Sequence, residues 1–500
     1  MPKKETGRYD VVIVGAGPAG IFAALELTGI GARAGRMKAP KILIVEKGRD
    51  IDSRNCPMKL HEISCAACSE CGLLSGWGGA GAFSDGKLNL SAEIGGYLKD
   101  YIPGPELAGL IDYVDGIYIR FGAPRRYYGG DQARMDDIAR EAAKSGLLFV
   151  RSKIRHIGTD RSKGLLRKMR RHLAGKGPLA GKVDVLFESE VERILTAPAG
   201  ATKADRSKTG RLIGQPEVRV GRDKAVGVRL KDGREISARF VILAPGREGS
   251  KWLEQEVKRL KLSTVNNPVD IGVRVEVPAP VMEHLTEATY EPKFIFYSKA
   301  FDDKVRTFCV NPYGEVVKEY LKGIWTVNGH SYAKMRTPNT NFALLVSTIF
   351  TEPFHEPVSY GRHIARLANF LGQGVIVQRL GDLQCGRRST AERIGRGVCS
   401  PTLKDATPGD LSFVIPYRYL SDIIEMLSAL DRLAPGVNSG HTLLYGVEVK
   451  FYSMKPRLTP SLESEIENLF AVGDGAGVSR GLVQSSASGV IAAREILKRL

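Results

Sequence analysis

Five hundred residues exceed what one hydrophobic core usually serves, so two domains are expected, one of them free to interrupt the other. With 43% hydrophobic and 26% charged residues the composition is that of a globular protein, which excludes disorder for most of the chain. The formal net charge of +18 requires a basic surface somewhere, and the first apolar run, Val11–Val14, breaks at once into glycines, which excludes a signal-peptide core or membrane span there and predicts a cytoplasmic protein.

In chain order, the β-branched Tyr9–Val14 predicts a strand and the small, apolar Pro18–Leu27 a helix packed on a sheet. Lys41–Val45 predicts a second strand, and the basic Gly29–Pro40 between them reads as a surface insertion. From Gly48 to about Pro105 periodicity is lost, the mark of a functional loop inside a compact domain. Arg151–Lys182 carries eleven Lys or Arg against one acid, Asp160, with Leu165, Leu166, Met169 and Leu173 at helical spacing. That is an amphipathic helix with a basic outer face: a docking surface for RNA, anionic lipid or an acidic electron-donor protein, or simply a solvated face.

Short alternating runs then predict strands at Val183–Phe187, Val191–Leu195, Ala225–Leu230 and Glu235–Ser237, the last two joined by an Asp232-Gly233 hairpin turn, with a further buried strand at Phe240–Leu243. Thr196–Asp223 reads as an extended hairpin tip. The middle of the chain mixes strands (Val269–Val277, Phe294–Tyr297, Phe342–Ile349) with helices such as Tyr360–Leu371 and holds no nucleotide motif. With Gly15-Ala-Gly-Pro-Ala-Gly20 after the first strand and Gly473-Asp474 after the last, the expected organisation is α/β: a Rossmann-type FAD-binding domain assembled from discontinuous segments (1–110, 183–261, 440–500), a helical segment with a basic face (111–182), and an inserted α+β substrate domain (262–439).

Three constellations carry the chemistry. Gly15, Gly17 and Gly20, with Pro18 and Ala19, form G-A-G-P-A-G between a strand and a helix. The first glycine permits the turn, the second lets the backbone approach a pyrophosphate, and the third allows close helix packing, while the helix N-terminus faces phosphate charge. The second strand ends in Glu46-Lys47, placing a carboxylate for a ribose hydroxyl pair and against a 2′-phosphate. Near the C-terminus, Asn468–Gly477 is an apolar strand ending in Gly473-Asp474, the pattern by which FAD-binding oxidoreductases present an aspartate to the ribityl and phosphate region. Gly481, Leu482 and Val483 open a helix whose free amides suit negative charge on a flavin.

Val241–Gly246, including Ala244 and Gly246, resembles the strand that returns the chain to the FAD domain in that superfamily, and Val191 sits where such proteins contact adenine through backbone. In the Gly76–Leu88 loop, Gly78, Gly79 and Gly81 permit backbone amides near a pyrophosphate or isoalloxazine, and Ser84, Asp85 and Lys87 can bind phosphate or tune the ring; a turn-rich connector is the plain alternative. These pieces, with His156–Asp160, Asp270-Ile-Gly-Val-Arg-Val-Glu276 and Gly446-Val-Glu448, resemble a family of uncharacterised FAD-dependent dehydrogenases over nearly the whole chain. The resemblance implies a glutathione-reductase-like FAD fold with a single Rossmann domain and leaves the substrate open.

Cys56, Cys65, Cys68 and Cys71 lie within sixteen residues, the last three spaced C-x2-C-x2-C, which resembles ligation of a 4Fe–4S cluster; four thiolates also suit zinc, and reduced cysteines or a redox pair are the alternative. No second G-x-G-x-x-G exists mid-chain, so electrons are expected from a transiently docked nicotinamide or a ferredoxin-like protein. His330, His355 and His441 are acid–base candidates without a decisive pattern. The expected function is an FAD-dependent oxidoreductase moving hydride between flavin N5 and a small substrate, for which the apolar middle strands permit a hydrophobic molecule. An RNA-modifying flavoenzyme and a non-catalytic flavin redox sensor or electron-transfer protein are the rivals.

Overall fold

Two kinds of strand segregate in the computed structural model, which describes all residues except 1–4, 31–39, 58–67, 85, 176–182, 199–208, 211–217, 222, 266–267, 322, 332–334, 349, 351–352, 355 and 451–453. The elements used below are, in chain order, β1 (Glu5–Val14), α1 (Pro18–Leu27), β2 (Ile42–Val45), α2 (Gly104–Arg120), α3 (Thr159–Leu173), β3 (Val183–Leu186), β4 (Val191–Pro198), β5 (Asp223–Leu230) and β6 (Glu235–Leu243). They continue with β7 (Val269–Pro278), β8 (Phe294–Tyr297), β9 (Lys304–Asn311), β10 (Asn339–Thr348), α4 (Tyr417–Asp431), β11 (Leu443–Lys450), β12 (Leu469–Ala471) and α5 (Leu482–Leu497).

The chain packs as two units, one of Met1–Arg125, Arg155–Val265 and Ser453–Leu500, the other of Arg126–Ile154 and Asn266–Tyr452. In the first, a seven-stranded sheet runs β3-β2-β1-β6-β5-β4, with β12 also pairing β6. The strands from β3 to β6, and β12, are parallel, and their β-branched residues are buried on both faces, as a sheet covered by helices requires. The two expected strands at 235–237 and 240–243 are one strand, β6. Its first half makes the antiparallel hairpin with β5 around Gly233 (φ +86°), and its second half lies between β1 and β12. Residues 469–497 thereby complete a sheet begun at residue 5. Helix α5 seats on α1 through small residues: a Cβ on Gly489 would lie 2.1 Å from the Ala19 carbonyl oxygen.

The second unit carries an eight-stranded, mostly antiparallel sheet in which β11, β7, β10, β9 and β8 are successive neighbours. Alternation on β7 is clean: Ile271, Val273, Val275 and Val277 enter the apolar core, where α4 also packs. These apolar side chains are consumed in the core, so they give a hydrophobic substrate no surface. The expected helical segment 111–182 is divided between the units, because Leu148–Phe149 pairs with β8 and draws 126–154 into the second, while α2 and α3 belong to the first. Within Thr196–Asp223, β4 and β5 extend the ladder to Pro198 and Asp223, and Thr209–Gly210 pairs with Val218–Arg219; the rest of that tip, and most of the Gly29–Pro40 insertion, lie outside the described residues. Among the described residues no helix is long and apolar enough to cross a membrane.

Candidate functional site

The glycine turn after β1 behaves as three different positions. Gly15 has φ +108°, and a Cβ there would lie 2.2 Å from the Ala244 carbonyl oxygen; a Cβ on Gly20 would lie 2.0 Å from the Gly15 oxygen. Both are closed by backbone. Gly17, between them, meets nothing within 4 Å. It is the N-cap of α1, no side chain caps that helix, and Pro18 occupies the first position, where its missing N–H costs nothing. The turn therefore presents an open backbone surface at the positive end of a buried helix.

Glu46, 6% exposed, stands at the end of β2 as expected, but its carboxylate accepts three backbone N–H bonds: Ala16 at 2.7 Å, Gly48 at 2.9 Å and Gly76 at 2.9 Å. It ties the glycine turn to the Gly76 loop, leaving roughly one lone-pair direction of about four for a ribose hydroxyl. Lys47 turns away to Glu70, 3.4 Å off.

The Gly76 loop lies directly on the turn. Gly78 N–H donates to the Ala16 carbonyl (2.8 Å), Gly79 approaches the Gly17 Cα, and Gly81 faces Leu482 closely enough that a Cβ would come within 2.5 Å of it. Ser84 caps this loop internally, donating to Gly81 O and accepting from Gly86 N–H, so its hydroxyl is engaged. Lys87 begins the short strand Lys87–Leu90, and Asp85 lies outside the described residues.

From the other end of the chain, Gly473 (φ +77°) donates its N–H to Ser488 Oγ (3.0 Å), and a Cβ there would meet Ala19 Cβ at 3.1 Å. Asp474 accepts from Ser479 Oγ at 2.6 Å and faces Arg247 at 3.7 Å. Gly246 is in the left-handed region (φ +63°), with Gly475 closing on its carbonyl. Gly481 is the N-cap of α5, again without a side-chain cap, so the Leu482 and Val483 amides begin a second open helix end. Val191 opens β4, buried and paired with Leu230, two residues after Ser189, whose N–H donates to the Glu46 carbonyl (3.1 Å).

Two buried residues of the loop escaped the sequence reading. Arg54, 2% exposed, donates to four carbonyls, those of Gly72, Leu73, Trp77 and Gly79, and lies over the Phe83 ring. Burial pushes its guanidinium down to about 10, with Glu46 and Cys71 acting in the opposite direction. Trp77, fully buried, donates its indole N–H to Leu166 O of α3. A tryptophan in a glycine-rich stretch was the available signal, being too large to be filler in a turn; Arg54, upstream of that stretch, offered none. Beside them, a small pocket is lined by Ile21, Phe22, Tyr118, Leu165, Leu166 and Met169 among others; its largely apolar walls give a phosphate little to bind, so the phosphate-suited side of the turn is the open face at Gly17.

The basic helix α3 is partly neutralised. Arg170 pairs with Asp50 (3.2 Å) and Arg167 with Asp52 (2.5 Å), while Leu165, Met169 and Leu173 are core. Of the cysteines, Cys65 lies outside the described residues, Cys68 is exposed, and Cys56 and Cys71 are half-buried and free. Among the described residues no group of three or more His, Cys, Asp or Glu is placed to hold a metal ion. His330 is exposed at the end of a strand, His441 Nδ1 lies 3.4 Å from the Arg379 guanidinium, and His355 is outside the described residues.

Comparison with known proteins adds the following. Residues 268–451 match the family of the FAD-dependent protein C-terminal domain, and residues 410–500 match the glucose inhibited division protein A family. An uncharacterized protein of Clostridium beijerinckii is 27% identical over 508 residues, covering 98% of this chain and 80% of its own length. The mitochondrial electron transfer flavoprotein-ubiquinone oxidoreductase of Dictyostelium discoideum is 40% identical over 53 residues, 11% of this chain and 8% of its own. Formate oxidase of Aspergillus oryzae, at 12% identity, superposes with a TM-score of 0.41 over 99% of both chains. The first of these two family models is that of an FAD-dependent protein.

Proposed function

We propose, taking the FAD-dependent oxidoreductase family that these matches support as premise, that the first unit holds FAD across the Gly15–Gly20 turn and that the protein transfers hydride to or from a small molecule. The observation that carries this is the open Gly17 between two backbone-closed glycines at an uncapped helix start. Bound there, FAD would supply hydride chemistry at its N5.

The residues divide the work. The α1 start, with Gly15, Gly17, Pro18, Ala19 and Gly20, presents amides and helix dipole to a pyrophosphate. Glu46 keeps the turn and the Gly76 loop in register and offers its remaining acceptor direction to a ribose hydroxyl. Asp474, held by Ser479, is fixed for hydrogen bonding to a polyol chain, and the Leu482 and Val483 amides stabilise negative charge at the second helix end. Arg54 acts through others: by gripping four loop carbonyls it fixes Gly78 and Gly79 over the turn, which makes it a positioning residue.

Purified full-length protein incubated with FAD and freed of excess is expected to be yellow and to retain flavin stoichiometrically. Gly17→Val, whose side chain would enter open space, is expected to fold with an unchanged melting temperature while its flavin occupancy falls by roughly tenfold or more. Colourless wild-type protein that takes up no flavin would overturn the reading.

A further inference from the structure

The two strand motifs Asp270-Ile-Gly-Val-Arg-Val-Glu276 and Gly446-Val-Glu448 find no role in the flavin site, and the second unit shows what they build. They lie on adjacent strands, β7 and β11, with Asp270 opposite Lys450 and Gly272 opposite Glu448. Alternation then puts Asp270, Arg274, Glu276, Glu448 and Lys450 on the face turned away from the apolar core. On the other flank, β10 and β9 bring Ser347, Lys304, Arg306 and Phe308 to the same face.

Asp270, Arg274 and Glu448 are fully buried on the central strands. Arg274 makes a two-pronged pair with Glu448 (2.7 and 2.9 Å) and donates to Cys309 O and Asn341 Oδ1. Lys450 reaches Glu448 at 2.9 Å, Lys293 reaches Glu291 at 2.6 Å, and Arg306 pairs with Asp270. Three of these cations surround one half-buried ring, Phe308: Arg306 at 4.7 Å, Lys293 at 5.8 Å and Lys450 at 5.9 Å from its centre. Their side chains keep 20%, 11% and 17% of their surface, so the ring of cations reaches solvent while its acids are sealed.

Among the described residues, four cations here face three carboxylates. Extending outward to Glu276, which is held by Thr402, Tyr445 and Asn339, and to the exposed Lys304 leaves the surplus at one positive charge. Among the described residues the buried Asn341 Nδ2 has no acceptor. Stability does not explain this arrangement: apolar residues in place of a buried ion-pair web are often as stable or more so. Dense, partly open charge clusters are instead where ligands bind.

We propose that the Phe308 ring and the Lys293, Arg306 and Lys450 side chains form a binding site for the carboxylate of a small organic acid. One surplus positive charge matches one carboxylate; phosphate, whose second ionisation falls near neutrality, brings more negative charge than the site balances. Calling that acid the substrate rests on the proposed flavin chemistry; the binding itself does not.

The test is a thermal-shift and calorimetric titration of full-length protein with benzoate, its neutral isostere benzamide, and inorganic phosphate. Benzoate is expected to saturate, benzamide at equal concentration to leave the protein unchanged, and phosphate to bind more weakly. Lys450→Gln and Lys293→Gln, which approach the ring from the end of β11 and from the residue before β8, are each expected to weaken benzoate by roughly tenfold. Arg274 remains to pair Glu448 in the first variant, and the second reads the same site should the first not fold. Non-saturable benzoate, equal response to benzamide, tighter phosphate, or indifference to both variants overturns the proposal. Colourless protein that still binds benzoate sinks the flavin reading alone.

Discussion

The glycine turn of the first unit and the charged sheet face of the second are built from opposite materials. At the turn there are almost no side chains: Gly15 and Gly20 are glycine because backbone occupies the place of a Cβ, and Gly17 because a space is kept open. On the sheet face everything depends on side chains, with four ion pairs anchored on acids that are nearly or wholly buried. A backbone site declares itself in local sequence, since its spacing is fixed by one turn. A side-chain site assembled across strands is silent until the pairing is known.

Substitutions test that contrast. The largest effect is expected on the charged face: Arg274→Met leaves Glu448 buried with Lys450 as its remaining cation and should cost about 3–5 kcal/mol in denaturant unfolding. Burial alone would pull the Arg274 guanidinium down, but Glu448 holds it above its ordinary range; burial would raise the Glu448 carboxyl, and Arg274 with Lys450 holds it below. If Arg274→Met/Glu448→Leu recovers most of the loss, the web is there for something other than stability; if it recovers none, the pair itself holds the sheet.

At the turn, Gly20→Ala puts a methyl 2.0 Å from the Gly15 oxygen and should destabilise by on the order of 3 kcal/mol, whereas Gly17→Ala should be near neutral in the same melt. Equal effects would erase the distinction between closed and open glycines.

A smaller effect sharpens the account of charge burial in the second unit. Asp422 on α4 is fully buried, and burial raises its carboxyl to about 6, with Ser298 and Arg418 opposing and Asp303 adding to the rise. A folded value above the unfolded one means that this group favours the fold in acid and loses that contribution as pH rises through about 6. Asp422→Asn should therefore be the more stable protein at pH 8, by on the order of 1 kcal/mol, with the advantage gone by about pH 4. A constant difference across pH would show that Asp422 stays ionised.

The smallest effect is expected on α3. Arg170→Ala, which frees Asp50 at the surface, should change the melt by no more than about 0.5 kcal/mol. A larger loss would make the basic helix a structural strut.

Much of the first unit was legible. Tyr9–Val14, Pro18–Leu27 and the Asp232-Gly233 hairpin announce themselves through alternation, small residues and turn chemistry, and the structure has them there. That the two glycine-and-acid signatures at opposite ends of the chain belong to one domain was expected, and the structure brings Gly473 against Ala19. What was not legible depends on partners distant in sequence. The tie that Glu46 makes between turn and loop was hidden because nothing local shows that Ala16, Gly48 and Gly76 would all donate to it. Arg54 is an ordinary surface residue by composition until four carbonyls of a later loop close around it. The segment 126–154 reads as helical and joins the second unit through partners distant in sequence: Phe149 pairs with Phe294, Gly129 N–H donates to Ala288 O and Val150 N–H to Lys293 O.

Because β12 and α5 complete the sheet and the helix pair that β1 and α1 begin, the protein emerging from a ribosome cannot finish its first unit until residues near 497 are out. The second unit, whose residues end at Tyr452, can be finished before that moment. A chain cut short anywhere before Leu469 would thus carry the whole Gly15–Gly20 turn without the strand and helix that complete its sheet and helix pair.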